Sequence, residues 1–472
     1  MRTLLLSTYE MGHQPLGLAT PAAALRARGH EVRCLDLSVD GAASRLSEPG
    51  QLEDVGLIGI SIPMHTAARL GIALARRIRR LAPSAHICFY GLYASVLHDR
   101  LIGSGIADSV VGGEYEPGLC NLADELVGGR YDGAAPPSGV GASPLLERWQ
   151  YPLPDRDSLP PLDRYARALN GDRERITGYV EASRGCAHQC RHCPITPVYG
   201  GALRLVQSET VLTDIDRLAA MGAEHITFGD PDFLNAVPHS LAIIDELQRR
   251  HPAMSFDVTV KVEHLLEHAE VLPRLRDGGC LFITSAFESC DDRVLSHLAK
   301  GHTHVDLERV LALAERERLV IRPTWVAFTP WVTAEGYLEF LRFVEEHGLV
   351  GHVQPVQYAL RLLLPPGSPL TPLLNEQGLL GAFDDEALTH SWSNADPRID
   401  PLQAEVAAIV EAAAAGCSHE SAGAANDASD VTATFAAVKR AAFDALGRAT
   451  EPVTVAPQPE RQVPRLTEDW FC

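Results

Sequence analysis

The stretch Arg184–Pro194 reads RGCAHQCRHCP and holds three cysteines, Cys186, Cys190 and Cys193, in the spacing C-x3-C-x2-C. It directly follows residues 177–183, whose apolar character predicts a β-strand. Thiolates are soft ligands that favour iron–sulfur clusters or zinc. Three thiolates leave one corner of a cubane cluster without a protein ligand, and that corner can bind a small chelating molecule. We therefore predict that the loop is a chemical site and not only a structural one.

This loop resembles that of the radical S-adenosylmethionine (SAM) enzymes. In that family three cysteines hold a [4Fe-4S] cluster, SAM chelates its unique iron, and an electron from the cluster cleaves a carbon–sulfur bond to give a radical. The resemblance implies both cofactors here, with Cys186, Cys190 and Cys193 as metal ligands and His192 where the family usually has an aromatic residue. The alternative is a zinc knuckle with His188 or His192 as fourth ligand. The position after a strand, in a chain long enough for a barrel, favours the cluster.

Length, charge and cysteine usage narrow the class of protein. A chain of 472 residues predicts two or three domains. The formal net charge of −20 disfavours nucleic acid and anionic membranes as partners. No apolar run approaches the length of a membrane span, and the N-terminus MRTLLLSTYE is too short and polar for a signal peptide. Ten cysteines without a secretory signal then predict a reducing, cytoplasmic location.

Strand and helix patterns alternate through residues 1–127, which predicts a doubly wound, Rossmann-like parallel sheet. Ligands of such sheets bind beyond the carboxyl ends of the strands. The predicted strands are Arg2–Ser7, Glu31–Leu37, Val55–Ser61, Ala85–Tyr90 and Ser109–Val111.

This region resembles the cobalamin-binding domain that precedes the barrel in one large subgroup of radical SAM enzymes. In corrinoid-binding relatives the first loop often carries D-x-H-x-x-G, whose histidine ligates cobalt. The loop here lacks that motif, and His13 is the only candidate, at a different spacing. Ser61, Gly112 and Gly113 match the later serine and double-glycine positions, where small residues let a flat macrocycle approach the backbone. The alternative is a sheet that lost its ligand, so cobalamin binding, with or without His13, stays open.

Residues 128–172 form a linker rich in Gly, Ala and Pro at its start. Residues 173–372 repeat strand and helix patterns six times, which predicts a partial (β/α)6 TIM barrel with its chemistry at the carboxyl ends of the strands. Residues 373–472 predict a helical extension and a tail. The six predicted barrel strands are Thr177–Ser183, His225–Gly229, Phe256–Val260, Leu281–Phe287, Val320–Ala327 and His352–Leu360.

Several residues at the strand ends fit the SAM contacts that the resemblance implies. Gly229 and Asp230 follow the second strand, where relatives carry glycine-glycine-glutamate. Ser285 and Glu288 resemble the side chains that reach the ribose or the methionine moiety, and Arg322 could hold the SAM carboxylate in bidentate fashion. The alternative for each residue is an ordinary cap or ion pair at the rim of the barrel.

A further position comes from the turn Leu298–His302, which resembles a glycine-containing turn in B12-type relatives. This resemblance directs Lys300 toward the site.

The chain closes with Trp470, Phe471 and Cys472. Two large aromatic side chains gain by burial, so we predict that this end docks over the open barrel. The tail resembles that of the radical SAM group with a CUAEP or CCAEP ending, and the chain stops at the first cysteine of such a pattern. A selenocysteine codon read as a stop would produce that ending; the alternative is a terminus with a free thiol. We place Cys472 among the catalytic candidates: if a second soft donor follows it, the pair would bind a thiophilic species such as trivalent arsenic.

Together these features predict a radical SAM enzyme whose SAM-derived radical alkylates a small molecule in natural-product biosynthesis. The resemblance implies a reductant such as flavodoxin or ferredoxin. Transfer of a 3-amino-3-carboxypropyl group to trivalent arsenic, as in arsinothricin-type enzymes, and cobalamin-dependent methyl transfer are the enzymatic alternatives. A non-catalytic metal- or corrinoid-binding regulator is the alternative from another class. The residues do not specify the substrate.

Overall fold

A computed structural model describes residues 1–39, 46, 48, 50–131, 136–415, 428–453 and 463–468. The N-terminal sheet pairs all of its strands in parallel, in the order β2-β1-β3-β4-β5. Its strands are β1 (Arg2–Ser7), β2 (Glu31–Asp36), β3 (Val55–Ser61), β4 (His86–Tyr90) and β5 (Ser109–Val111). Its helices are α1 (Leu16–Ala27), α2 (His65–Leu81), α3 (Leu92–Val96), α4 (His98–Gly103) and α5 (Tyr115–Val127).

The order of this sheet reverses between β1 and β3, and ligands of doubly wound sheets bind at such a switch point. Leu4–Leu6 and Leu57–Ile60 are near-continuous apolar runs because helices cover both faces of a parallel sheet. The doubly wound sheet predicted from the alternation is therefore confirmed.

The second large sheet has seven strands in the order β13-β12-β11-β10-β7-β6-β16. Five of them, β7 and β10 to β13, run parallel and curl into a half-barrel, while β6 and β16 extend it in antiparallel pairing. The strands are β6 (Arg167–Asn170), β7 (Arg173–Val180), β8 (Ser183–Gly185), β9 (Leu203–Leu205), β10 (His225–Phe228), β11 (Ser255–Thr259), β12 (Cys280–Glu288), β13 (Ile321–Trp325), β14 (Leu380–Asp384), β15 (Thr389–Trp392) and β16 (Arg465–Leu466).

The helices that follow the strands of the half-barrel pack against its outer face in one continuous apolar core. Helices α15 and α16 form the C-terminal extension and pack on each other and on the barrel. These helices are α6 (Ile195–Tyr199), α7 (Ser208–Ala220), α8 (Val237–Arg250), α9 (Val262–Glu267), α10 (Leu272–Asp277), α11 (Asp292–Leu298), α12 (His304–Glu317), α13 (Ala334–Glu346), α14 (Thr371–Glu376), α15 (Ile399–Ala415) and α16 (Ala428–Ala445).

The sixth repeat differs from the prediction. Residues 352–360 do not form a strand: Pro355–Ala359 is a 3₁₀ helix, and an isolated bridge joins Arg361 to Phe328. Proline has no backbone N–H to donate to a ladder. The side-chain oxygen of Gln357 accepts from the backbone N–H of Trp325 at 3.0 Å, a donor on the edge strand β13. The half-barrel therefore ends at β13, while the predicted fold class is confirmed.

Part of the C-terminal tail, residues 463–468, packs on the half-barrel. Arg465 and Leu466 pair with Leu169 and Ala168 of β6, and Leu466 shares a small apolar cluster with Phe282 of β12. The tail thus reaches the interior side of the half-barrel through its edge. Residues 469–472, including Cys472, lie outside the described residues.

Candidate active site

The cysteine loop leaves the short strand β8 and is fixed by a glycine and an asparagine. Gly185 has a φ of +74°, and a Cβ atom there would collide with the carbonyl oxygen of Ala202, so glycine alone fits. Asn235 donates its side-chain amide to Cys186 Sγ at 3.5 Å and accepts from the backbone N–H of Ala187 at 3.3 Å. These contacts orient the first cysteine toward the end of β10.

The three thiols lie within electrostatic range of one another. Burial raises the pKa of the Cys193 thiol to about 12, and the neighbouring Cys190 and Cys186 raise it further. Burial also raises the pKa of Cys186. Three soft donors on one tight loop fit a [4Fe-4S] cluster, whose positive charge would favour the thiolate form.

A buried ionic cluster adjoins the loop at the end of β12. The Glu288 carboxylate accepts from Lys300 Nζ at 3.2 Å and lies 3.1 Å from His192 Nε2. Burial alone would raise the pKa of Glu288, but Lys300 and His192 lower it to about 2. Glu288 also has a φ of +65° at a β-bulge, a strained conformation that is frequent at functional sites. The structure thus brings two predicted residues, His192 and Glu288, into contact beside the cysteines.

Replacing Lys300 by methionine is expected to cost about 3 kcal/mol of stability at pH 7, because it leaves the Glu288 charge buried without its lysine partner. In the wild type the folded pKa of Glu288 is about 2, below its usual 4.5. The stability that the ionised Glu288 contributes to the folded state is therefore complete above about pH 4.5 and is lost as the pH falls to about 2. In urea unfolding, the difference in the free energy of unfolding between wild type and Lys300→Met should be smaller at pH 3 than at pH 7. An equal difference at both pH values would contradict this account.

Gly229 and Asp230, which follow β10, pack next to the segment that leads into the cysteine loop. A Cβ atom on Gly229 would overlap the hydroxyl of Tyr179, so the glycine makes room for that ring. Asp230 is 3% exposed and accepts from the backbone N–H of Ala182 at 2.9 Å and from Ser183 Oγ at 2.5 Å. Burial raises the pKa of Asp230 to about 7. These contacts show Asp230 holding the start of the cysteine loop.

The side chain of Ser285 faces the opposite side of β12 from that of Glu288. Side chains alternate along a strand, and Ser285 shares its face with Ile283 and Phe287, which are buried in the core between strands and helices. Its Oγ has no hydrogen-bond partner among the described residues. The prediction of a ribose contact by Ser285 is therefore not supported, because odd-numbered positions of β12 face away from the barrel interior.

Arg322 is also remote from the cysteine loop. It pairs in register with Thr284, four residues before Glu288, which is roughly 13 Å along the strand. Its guanidinium donates to the backbone oxygen of Pro464 at 3.3 Å. The arginine thus faces the docked tail near the amino ends of the strands, and the predicted contact with the SAM carboxylate is not supported.

The first loop of the N-terminal domain reaches the barrel. The His13 ring stacks on Tyr179 of β7 with a centroid distance of 4.7 Å and an interplanar angle of 24°. Burial lowers the pKa of His13 to about 4. This packing places the switch-point loop against the mouth of the half-barrel, with its histidine engaged by a tyrosine.

Ser61 ends β3 at the same switch point. Its Oγ donates to Glu10 at 3.4 Å, and the backbone N–H of Gly17 donates to the same carboxyl at 3.4 Å. Burial and the nearby Asp36 raise the pKa of Glu10 to about 8. Sequence reasoning missed Glu10, although its position in the loop that follows β1 was a signal.

Gly112 and Gly113 have packing reasons of their own. A Cβ atom on Gly112 would overlap the hydroxyl of Ser95, and one on Gly113, whose φ is +68°, would overlap the carbonyl of Leu145. Ser95 Oγ and Ser7 Oγ are buried without a hydrogen-bond partner among the described residues. Unpaired hydroxyls near the carboxyl edge fit the polar groups of a bound ligand.

A second buried network joins the two domains. Arg184 Nη1 and Nη2 donate to Glu116 at 3.0 and 2.9 Å, and Arg184 Nε donates to Glu181 at 2.7 Å. Glu114 lies 3.5 Å away and accepts from Tyr151 at 2.5 Å. This network connects the segment after Gly113 to the residue two positions before Cys186. Sequence reasoning missed it, because the partners lie about 70 positions apart.

Comparisons with known proteins agree with this geometry. Residues 180–326 match the model of the radical SAM superfamily, and residues 2–123 match that of the B12 binding domain. The chain therefore carries a radical SAM domain, which implies a [4Fe-4S] cluster and SAM as cofactors, and a B12-binding domain that precedes it. These matches indicate an enzyme and argue against a non-catalytic regulator.

The chain is similar to curated proteins that are named as methylases, a methyltransferase and methylthiotransferases. The chain is 26% identical to hopanoid C-3 methylase of Methylococcus capsulatus over 325 residues, which are 66% of this chain and 62% of that one. It is 24% identical to an uncharacterized methyltransferase of Pyrococcus horikoshii over 302 residues, 61% and 64% of the two chains. The chain thus spans slightly less than two thirds of the length of these relatives.

Solved structures share the fold. The cobalamin-dependent SAM radical enzyme OxsB aligns with a TM-score of 0.71 at 14% identity, over 93% of this chain and 71% of that one. TsrM, a radical SAM methyltransferase from Kitasatospora setae, aligns with a TM-score of 0.65 at 17% identity, over 94% and 88%. None of the helices within the described ranges is long and apolar enough to cross a bilayer.

Proposed function

We propose that this enzyme is cobalamin-dependent and transfers a methyl group to a small-molecule substrate. The observation that carries the proposal is the domain arrangement: the switch-point edge of the B12-binding domain, with His13 on Tyr179, faces the half-barrel that holds the cysteine loop. Relatives named as methylases and the cobalamin-dependent proteins that share the fold support it.

Different residues of the chain would bind the cluster, SAM and the corrinoid. Cys186, Cys190 and Cys193 would hold the cluster, and the charged Glu288 would accept hydrogen bonds from SAM while Lys300 keeps it ionised. Bound at these sites, the cluster supplies the electron that cleaves SAM and the corrinoid carries a methyl group. Ser7 and Ser95 would donate their unpaired hydroxyls to the corrinoid.

We infer that the corrinoid binds without His13 as a cobalt ligand, because that ring is stacked on Tyr179 and 6% of the residue is exposed. His13→Ala should therefore retain cobalamin binding within about twofold, as measured by absorption after gel filtration. Ser7→Ala with Ser95→Ala should weaken binding about thirtyfold, because two hydrogen bonds are worth roughly 1 kcal/mol each. Loss of binding in a folded His13→Ala protein would instead assign the histidine to cobalt.

The decisive experiment is product analysis under anaerobic conditions. The reconstituted enzyme is incubated with deuteromethyl-SAM, cobalamin and dithionite, and the nucleoside products are separated by mass. The proposal predicts S-adenosylhomocysteine, which is left when the corrinoid takes the methyl group, and 5′-deoxyadenosine, which depends on an intact cysteine loop. Predominant 5′-methylthioadenosine would instead indicate transfer of a 3-amino-3-carboxypropyl group and would overturn methyl transfer.

The position of the docked tail allows a test of the alternative function, transfer of a 3-amino-3-carboxypropyl group to trivalent arsenic. Glu468 packs against Gly12 in the first loop, where a Cβ atom would collide with its carboxylate. Cys472 follows four residues later, a reach of up to about 14 Å. We propose that this thiol serves a thiophilic substrate such as trivalent arsenic, as the resemblance to CUAEP- and CCAEP-tail proteins implies. Weaker arsenite binding in Cys472→Ser than in wild type would support it, and unchanged binding would contradict it.

A further inference from the structure

Three side chains from separate elements converge beside the cysteine loop. They are His188 within the loop, Asp232 after β10 and His264 in the first turn of α9. His264 Nδ1 lies 2.9 Å and His188 Nε2 lies 3.6 Å from Asp232 Oδ2, and all three atoms fall within 4.8 Å of one another. A two-histidine, one-carboxylate set of this kind is a common site for divalent transition metals.

The two ring nitrogens lack hydrogen bonds despite their burial. The side chains of His188, Asp232 and His264 are 18%, 2% and 12% exposed. His188 Nε2 and His264 Nδ1 are fully shielded from solvent, and neither makes a hydrogen bond of acceptable geometry. Buried nitrogens are normally paired, so two of them directed beside one carboxylate suggest a shared cation.

Neighbouring groups would support the ligands. Asp232 Oδ1 accepts from the backbone N–H of Leu234 at 3.0 Å, which orients the carboxylate. With Nε2 of His188 bound to a metal, its proton resides on Nδ1, which lies 3.7 Å from Glu263 Oε2. Lys261 Nζ lies 3.2 Å from the same Nδ1, so on metal binding the lysine must give up this contact and pair with Glu263 alone. A carboxylate behind a ligating imidazole is typical of metal sites. Lys261 contacts that same Glu263 oxygen at 2.5 Å, so its charge is already compensated.

We propose that His188 Nε2, Asp232 Oδ2 and His264 Nδ1 bind one divalent metal ion, zinc or ferrous iron, that is distinct from the iron–sulfur cluster. Three protein ligands leave positions for water or for an oxygen donor of a substrate. Because His188 belongs to the loop of Cys186 and Cys190, the ion ties that loop to α9 and stabilises it.

A second group of possible metal ligands lies on α9 and shares His264 with the proposed site. Removing this second group provides the matched control. His264, Glu267 and His268 also bring their ligand atoms within 4.8 Å. Glu267 is exposed, and a flexible exposed carboxylate gains less from coordination than the shielded Asp232. His268→Ala therefore removes the competing set and leaves the proposed one intact.

The test uses the full-length chain with its cluster reconstituted, dialysed against zinc chloride and analysed for both metals. Wild type and His268→Ala should bind about one zinc per chain at unchanged iron content, whereas His264→Ala and Asp232→Asn should lose it. X-ray absorption at the zinc edge should show nitrogen and oxygen donors with two imidazoles and no sulfur. Zinc should also raise the thermal midpoint of wild type and leave that of His264→Ala unmoved.

Three outcomes would overturn the proposal. Zinc absent from the wild-type protein at full iron content excludes the site, and sulfur ligands assign the zinc to cysteines. Loss of zinc in His268→Ala moves the ion to the helix set. The iron content of each variant reports independently on folding, so a misfolded variant is recognised and replaced by its conservative counterpart, His264→Gln.

Discussion

Replacing Cys186, Cys190 and Cys193 together by alanine is expected to abolish iron binding and all cleavage of SAM. The three thiols are the soft donors of one loop, and alanine offers no ligand in their place. Iron analysis after anaerobic reconstitution should fall from about four per chain to background, with loss of the brown absorbance. The formation of 5′-deoxyadenosine should fall below detection, an effect larger than that of any other substitution considered.

The matched control for this prediction is Cys290→Ala. Cys290 is a partly buried cysteine two residues after Glu288, outside the loop. Its variant should keep the iron content and the activity of wild type. Iron retained by the triple variant, or zinc found in wild type in place of iron after reconstitution, would contradict the assignment of the cluster.

Replacing Arg184 by methionine is expected to destabilise the protein by about 5 kcal/mol. Glu114 and Glu116 have fully buried side chains, and Arg184 is 7% exposed. Removing one partner of a buried ion network leaves charges uncompensated in a medium that solvates them poorly. Because the lost contacts join the B12-binding domain to the residue before Gly185, cobalamin binding and cluster retention should weaken together.

Urea unfolding followed by circular dichroism measures this effect, with Arg293→Ala as the control. Arg293 is 70% exposed in its pair with Asp291, so its loss should cost less than about 1 kcal/mol. Adding Glu116→Gln to Arg184→Met should restore part of the lost stability, since the orphaned charge is removed. If the double variant were less stable by the sum of both single effects, the buried network would not be coupled as described.

Much of the fold could be predicted from local pattern. The alternation of apolar strands and amphipathic helices yielded both sheets, and most predicted elements agree with the observed ones to within a few residues. The sixth barrel strand failed because a side chain, Gln357, bonds a backbone donor of the edge strand. The periodicity of apolar residues does not reveal that a side chain, and not a further strand, pairs with this backbone donor.

The site was predictable only in part. The cysteine loop and Glu288 follow from a contiguous motif and a strand end, and the structure places them together through His192. Ser285 lies on the same strand as Glu288, but an odd offset turns its side chain to the other face of the sheet. Arg322 lies on the neighbouring strand β13, opposite Thr284, and is therefore four positions away from Glu288 toward the other end of the sheet.

The sequence alone determined the chemistry that depends on neighbours along the chain: three soft donors in a short loop, and strands whose apolar runs require helices on both faces. Only the tertiary structure decided the contacts between distant segments, such as Arg184 with Glu116 and His188 with Asp232 and His264. These contacts depend on strand register and domain docking. Both are set by the packing of the whole chain, and no local stretch encodes them.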